Sequence, residues 1–413
     1  MRGLSNFRFH GLDFPKIVEK KVWAVVMLSP IEQLKRTAYN LFSKNISIEK
    51  IEGDGNFLFF IESNLRADHQ KNYERIISVL DNKPIGQLIL KIKERRPSLC
   101  TAWSSIRKLF KILKALNKVS TSFYGIPASL ALASEILLME RFYDALTDVT
   151  ITEKCLVVFH DASALQQILC QILSSTAVKT ITLQHGLFIE WPFPGQHTSD
   201  YENTVADYFF AWGQSTKELI ERYNPTIRVI KVGHPYLIDC QMPNYLHSNC
   251  FGIILCAPAF RDDNRRLVQL AGAISQAIHK SYWIKIHPAD NPEYYEDVLQ
   301  PGCKGFIGKE TSITQYAERV EFSITNPSSL LFQLLALNHL TLKYGPAYAS
   351  DPQASEWISV SDVPSFMSEY QRFDEIRDSG AIQAFINRYF EPGDVRLNYQ
   401  RAFKQVLEES AAD

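Results

Sequence analysis

CLVVFHDASALQQILCQILSSTAVKTITLQHG, residues 155–186, is the stretch that decides the fold. CLVVF (155–159) is a short apolar run bounded by charge and by a polar turn, which predicts a strand buried on both faces. ALQQILCQIL (164–173) places apolar residues at helical spacing, and VKTITL (178–183) is a second strand. Two strands joined by a helix pair in parallel, through a right-handed crossover. Each strand stops at polar residues: His160, Asp161 and Ser163 after the first, Gln184, His185 and Gly186 after the second.

The rhythm runs outward both ways. Towards the N-terminus, VWAVVML (22–28) predicts a strand, PIEQLKRTAYNLF (30–42) a helix, FLFFIES (57–63) a strand and SLALASEILLMERFYDAL (129–146) a long helix. Towards the C-terminus come YFFAWG (208–213), a helix near 215–223, and IRVIKVG (227–233). Residues 236–250, with Pro243, Asn244, His247, Ser248 and Asn249, have linker composition. The pattern then restarts with FGIILCAPAF (251–260), DNRRLVQLAGAISQAI (263–278) and YWIKIHP (282–288). A helix near 312–318, VEFSIT (320–325), SSLLFQLLAL (328–337) and HLTLKYG (339–345), read as the last strand, follow.

A chain of 413 residues exceeds one ordinary core. The expected architecture is α/β, with two Rossmann-like domains facing an inter-domain cleft: residues 1–240, then 250–380. A helical segment, 381–413, is free to pack back on the first domain.

Composition narrows the function. A net charge of −1 argues against a nucleic-acid binder, which needs basic surface to displace counterions. The seven cysteines, at 100, 155, 170, 240, 250, 256 and 303, form no C-x-x-C pair, and buried reduced thiols are expected rather than a metal site. No signal-peptide core and no run of about 20 apolar residues is present, so a cytoplasmic protein is expected.

In an open parallel sheet, ligands bind beyond the carboxyl ends of the strands. Four of the ten histidines fall there: His160, His185, His234 and His287. In NPSSLLFQLLAL (326–337), Asn326 or Ser328 can cap a helix, and Ser328 and Ser329 with the first-turn amides form a candidate phosphate cradle. In IKIHPAD, Lys285 and His287 alternate onto one strand face before Pro288. Each motif also has a plain structural reading, a capped helix or a packed histidine. Arg261, Asp262 and Asp263 follow the strand at 251–260, the two acids fitting a helix start better than a metal site. Walker, dinucleotide-binding, G-x-S-x-G and H-E-x-x-H motifs are all missing.

Between Lys91 and Lys118 lie nine basic residues and one acid, Glu94. Arg95, Arg96, Arg107, Lys108, Lys111 and Lys114 accompany Trp103, Ile106 and Phe110 at helical spacing. A basic amphipathic helix of this kind fits an anionic membrane or a polyanionic acceptor, and equally a core helix with a solvated face.

Taken together, TLQHG (182–186), VGHP (232–235), KIHP (285–288) and NPSSLLFQLLAL (326–337) resemble the bacterial capsule and lipopolysaccharide glycosyltransferases of the GT-B fold, including polysialyltransferases and Kdo transferases. VGHP is also similar to the inter-domain exit of UDP-GlcNAc 2-epimerases. The resemblance covers roughly residues 155 to 345. It implies a metal-independent enzyme, without cofactor, that moves a sugar from a nucleotide donor, CMP-linked and sialic-acid-like or Kdo-like, onto a capsule or lipopolysaccharide glycan or a lipid-linked acceptor. It further implies that Lys285, His287, Pro288, Asn326, Ser328 and Ser329 hold the donor, while His160, Gln184, Gly186, His234 and Arg261 line the acceptor side or cleft. The acidic-acidic-glycine motif of the sialyltransferases is reduced to Gly53, Asp54 and Gly55. The base is then one of His185, Asp161, Glu190 and Asp54, with the first two favoured by their strand-end positions. A UDP-sugar transferase or UDP-GlcNAc epimerase, a polyol-phosphate transferase and a non-catalytic glycan-binding partner are the alternatives.

Overall fold

The computed structural model describes residues 8–9, 12–13, 16–17, 21–22, 25, 28–42, 44–53, 55–62, 67–80, 85–94, 99–119, 125–188, 199–240, 248–308, 310–326, 328–345 and 357–411. Asp54, Glu190, Arg95, Arg96 and the Trp103 side chain lie outside this set.

After a small antiparallel pair, β1 (Arg8–Phe9) and β2 (Leu12–Asp13), comes helix α1 (Pro30–Phe42). The first sheet contains β3 (Lys44–Ile51), β4 (Phe57–Glu62), β5 (Gly86–Glu94), β6 (Cys155–Val158), β7 (Lys179–Leu183), β8 (Tyr208–Ala211) and β9 (Arg228–Lys231). Its order is β3-β5-β4-β6-β7-β8-β9, parallel except for the antiparallel edge strand β3. The connecting helices are α2 (Ala67–Ser78), α3 (Leu99–Val119), α4 (Ile126–Thr147), α5 (Ala164–Leu173), α6 (Ser199–Glu202) and α7 (Gln214–Tyr223).

The second sheet is parallel throughout, in the order β12-β11-β10-β13-β14-β15. Its strands are β10 (Cys250–Ile254), β11 (Ser281–Lys285), β12 (Cys303–Ile307), β13 (Ser323–Thr325), β14 (Thr341–Tyr344) and β15 (Ser359–Val360). Its helices are α8 (Arg261–Ile278), α9 (Ile313–Arg319), α10 (Leu330–Ala336), α11 (Val363–Tyr370), α12 (Phe373–Asp378) and α13 (Ala381–Tyr389). A final helix, α14 (Val395–Ser410), returns to the first sheet.

Both sheets are covered on two faces, which is why their central strands read as continuous apolar runs. On one face of the first sheet, Leu58, Phe60, Leu156 and Val158 pack with α4 and α5. On the other, Phe57, Phe59, Val157 and Phe210 meet α2 and α14, with the Phe403 ring 5.0 Å from Phe57 and 5.1 Å from Phe210. The chain crosses between the halves after Tyr389, where the Glu391 N–H donates to the Trp212 carbonyl at 2.6 Å. Gly213 permits that crossing, because a Cβ there would stand 2.4 Å from the Tyr389 backbone.

The strand expected at 22–28 is not found among the described residues of that stretch: 21, 22 and 25 are helical and 28 is in a bend, and the rest of the expectation lies outside the described residues. Val22 is buried in the cluster that contains the α4 residues Leu132 and Ile136. The second sheet also has a strand beyond 339–345, the two-residue β15.

Candidate functional site

The strand ends of the first sheet bring three histidines together. His160 and His185, following β6 and β7, have ring centroids 3.6 Å apart, tilted by 37°. His69, on α2, stands edge-on to His185 at 6.4 Å and against Phe159 at 5.0 Å. Both strand-end histidines are half-buried.

Local hydrogen bonds fix the two turns. Gln184, itself buried, accepts from the Trp212 N–H at 2.6 Å and donates to the Gly186 carbonyl at 2.7 Å. That clamp closes the turn carrying His185. Gln166 accepts from the His160 N–H at 2.6 Å and donates to Glu62 at 2.9 Å, tying the ends of β4 and β6. Nothing lies within 4 Å of where a Gly186 Cβ would stand, so this glycine leaves open space beside the histidine.

Asp161 plays a different part. Its carboxylate is buried and accepts the Val205 and Ala206 N–H groups at 2.7 and 2.9 Å. It anchors the segment entering β8. His234 is buried too; its Nδ1 accepts the Tyr236 N–H at 3.0 Å, and its Nε2 lies 3.4 Å from Gln333 Nε2 on α10. Burial, with Arg75 adding to it, pushes its pKa down to about 3, so the ring is neutral. This histidine joins the two halves, as does Tyr236, whose hydroxyl lies 2.6 Å from Thr314 Oγ1 and accepts the Thr314 N–H at 3.2 Å.

In the second half, Asn326 does not cap α10. Its Nδ2 donates to Asn264 Oδ1 at 2.6 Å, and Asn264 also accepts the Cys256 N–H at 2.8 Å. Asn264 Nδ2 reaches the Cys256 carbonyl at 2.9 Å and the Tyr295 hydroxyl at 3.1 Å. Tyr295 donates to Asp290, whose other oxygen accepts Arg261 at 3.0 Å. Burial raises the Asp290 pKa, but the Tyr295 and Arg261 hydrogen bonds outweigh it and hold the carboxyl below its ordinary value. His287 belongs to the same turn: its Nδ1 accepts the Ala289 N–H at 3.1 Å, and its carbonyl accepts the Asp290 N–H at 2.9 Å.

Ser328 Oγ accepts the Leu330 N–H at 3.2 Å, and Ser329 is exposed beside it. Lys285 donates to the Thr311 carbonyl at 3.1 Å, and burial lowers its pKa. A cavity of about 570 Å³ lined by Lys280, Glu321 and Arg377 opens at the opposite, N-terminal edge of this sheet. It is away from the strand ends that carry these groups.

The sequence reading placed His160, His185, Gln184, Gly186, His287 and Asn326 at strand ends, where the structure has them. It missed His69, which sits on a helix, and Asn264, Asp290 and Tyr295. Asn264 had a signal, being the third residue after Arg261 in the loop-to-helix stretch RDDN. Among the described residues, no group of three or more His, Cys, Asp or Glu is arranged to hold a metal ion.

No family model and no curated protein matches this sequence. Solved structures do match. The UDP-N-acetylglucosamine 2-epimerase from Rickettsia bellii is 12% identical, with 86% of this chain and 97% of that one aligned at a TM-score of 0.51. The UDP-GlcNAc 2-epimerase from Neisseria meningitidis, bound to UDP-GlcNAc, is 11% identical, with 86% and 100% aligned at 0.50. The pneumococcal O-GlcNAc transferase, in complex with UDP and GlcNAc, is 11% identical at a TM-score of 0.44, and this chain covers 60% of its length. At such identities the likeness is one of fold: two Rossmann-like domains in the GT-B arrangement.

Proposed function

We propose that this chain is a GT-B enzyme that transfers a sugar from a nucleotide-activated donor to a hydroxyl acceptor. The observation carrying this reading is the His160–His185 pair at the ligand-binding edge of a parallel sheet, 3.6 Å apart and held on clamped turns. The pair sets two half-exposed imidazoles side by side, where a hydroxyl acceptor can reach a ring nitrogen. His185 acts as the base. Its nitrogen takes the acceptor hydroxyl proton while the hydroxyl oxygen bonds to the anomeric carbon. The bond from that carbon to the donor phosphate oxygen breaks, and the nucleotide leaves with the electron pair.

The second half binds the donor. His287, Ser328 and Ser329 stand at its strand ends, and the Asn264–Asn326–Tyr295–Asp290 network holds the loops that carry them. Fixed donors there offset the charge developing on the leaving phosphate. The fold likenesses to UDP-GlcNAc 2-epimerases support testing a UDP-sugar ahead of the CMP-sugar implied by the motifs. Asp161, the other strand-end candidate for the base, is occupied by two backbone amides, which leaves the proton transfer to His185; activity on a UDP-sugar with no acceptor present would favour epimerisation instead. A capsule or lipopolysaccharide glycan is the acceptor class the motif resemblance supplies.

Titration with UDP, CMP, CDP and GDP, followed by thermal shift, tests donor binding, since a ligand of the folded state raises its melting temperature. The His185→Ala variant is expected to keep nucleotide binding and lose roughly 10²–10⁴-fold in turnover. Unchanged turnover would remove His185 as the base, and no nucleotide shift at all would overturn the enzyme reading.

A further inference from the structure

Helix α1 buries mostly polar residues and exposes several large apolar ones. Its buried face is mostly polar: Gln33 donates to the carbonyls of Val25 and Leu28, just before the helix, at 3.0 and 3.1 Å, Asn40 donates to Glu135 and Ser134 of α4 at 2.7 and 3.1 Å, and Leu41 is its buried apolar residue. Thr37 is buried with them. Its outward face carries Ile31, Leu34, Ala38 and Tyr39 at helical spacing, and Ile31 is 67% exposed. Ordinary surface helices have the opposite polarity, because exposed apolar area is unfavourable in water.

This stripe has neighbours of the same kind. α1 and α3 both pack on α4 and touch one another. Arg141 of α4 joins them, donating to the Asn40 carbonyl at 2.9 Å and to Ser105 of α3 at 2.7 Å. On α3, Phe110 is 65% exposed among the exposed cations Arg107, Lys111 and Lys114, and Ile126, at the start of α4, is 78% exposed. Of the nine large hydrophobic residues exposed among the described ones, five (Ile31, Leu34, Tyr39, Phe110 and Ile126) lie on these three helices. Lys35 adds a cation on α1, while Glu32 is engaged by Ser29, and Asp144 and Glu140 face Lys108.

We propose that the outer faces of α1 and α3, with the start of α4, form a docking surface for an anionic lipid bilayer. Exposed aliphatic and aromatic side chains interleaved with lysine and arginine match an interface whose headgroups are negative and whose interior is apolar. A polyanionic glycan would use the cations but gain nothing from Ile31, Phe110 and Ile126, which is why a lipid surface is favoured. Contact is peripheral: among the described residues, no helix is long and apolar enough to cross a membrane. The proposal does not depend on the reaction assigned to the strand ends.

Co-flotation of the full chain with vesicles of phosphatidylcholine alone, and with one-quarter phosphatidylglycerol, tests it. Binding is expected at least tenfold stronger on the anionic vesicles and weakened by salt. Lys111→Ala with Lys114→Ala should lower it roughly twenty-five-fold, at about fivefold per lysine. Ile31→Ser with Phe110→Ser should lower it roughly tenfold or more while changing the melting temperature little, since most of each side chain is already exposed. Equal binding to both vesicle types, no binding to either, or serine variants that bind as well as the parent would each overturn the proposal. So would a dimer in light scattering that the serine variants dissolve, because a second copy would then be the occupant.

Discussion

At the end of the first sheet, His160 and His185 are half-exposed, with ring centroids 3.6 Å apart. At the end of the second, Asn264 and Asn326 are wholly buried, with Asp290 and Tyr295 extending the same network. The first pair keeps titratable groups within reach of solvent; the second network has its polar groups bonded to one another beneath the half-exposed His287 and the exposed Ser329. On the proposed function, the two places would divide the labour. A proton acceptor must be reachable and able to change charge, whereas a cradle for a fixed phosphate must not move when charge develops on it. The contrast also separates stability from activity, and single substitutions can test that separation.

The largest expected effect on stability is in the second half. Asn264→Ala would strip partners from the Cys256 N–H, the Cys256 carbonyl, Asn326 Nδ2 and the Tyr295 hydroxyl together. A loss of about 3 kcal/mol in urea unfolding is expected, because buried groups left without partners lose their solvation uncompensated. His185→Ala in the first half should change unfolding by less than about 1 kcal/mol. Comparable losses for both would break the contrast.

A medium effect comes from two histidines that the halves hold alike. His234 and His339 are both pushed down to about 3, by burial first and by Arg75 or Arg377 second. His339 Nε2 lies 2.9 Å from Ser323 Oγ at the start of the second sheet. An unfolded histidine takes up its proton near 6.5, so between about 3 and 6.5 the unfolded chain binds more protons than the folded one. The stabilisation is therefore complete above 6.5 and falls as pH drops through that window, by about 1.4 kcal/mol per pH unit for each ring at the steepest. Glu135 is lowered to about 2: burial opposes this, but Lys21, Arg36 and Asn40 prevail. Its stabilisation is lost only below about 4.5, so the range from pH 6.5 to 5 isolates the histidines. In that range His339→Gln should halve their combined slope in urea melts, and an unaltered slope would mean that His339 is protonated in the folded chain.

How far the sequence was legible follows the same division. Buried central strands such as CLVV and YFFA announce themselves, because both faces are covered. The edge pair β3 and β5 does not: KNISIEKI and GQLILKIKE interrupt their apolar residues with lysine and glutamate, among them the Lys91–Glu49 ion pair across the strands. VWAVVML misleads for the opposite reason: it is rich in β-formers, yet Val22 and Val25, among its described residues, are helical. At the site, strand-end position located His160 and His185 but could not separate them from Asp161. That difference rests on the Val205 and Ala206 amides, more than forty residues away, which only the folded chain brings to the carboxylate. His69 had no such position to mark it, since it lies within a helix that the apolar pattern did not reveal.

The smallest effect concerns how the halves communicate. Tyr236 stands just after the first sheet, and its hydroxyl meets both Thr314 Oγ1 and the Thr314 N–H at the start of α9. Arg75 covers its ring at 5.0 Å, a contact that Tyr236→Phe would keep. The substitution therefore removes two hydrogen bonds at a half-exposed site, where water can replace part of the loss, and about 1 kcal/mol of stability is expected to go. If the halves close on a donor through this joint, the variant should also change the apparent donor affinity while leaving the chemical step intact, so KM moves and kcat does not. A change in kcat without KM would mean instead that the joint positions the histidine pair directly. The reachable half and the fixed half would then be one catalytic unit rather than two.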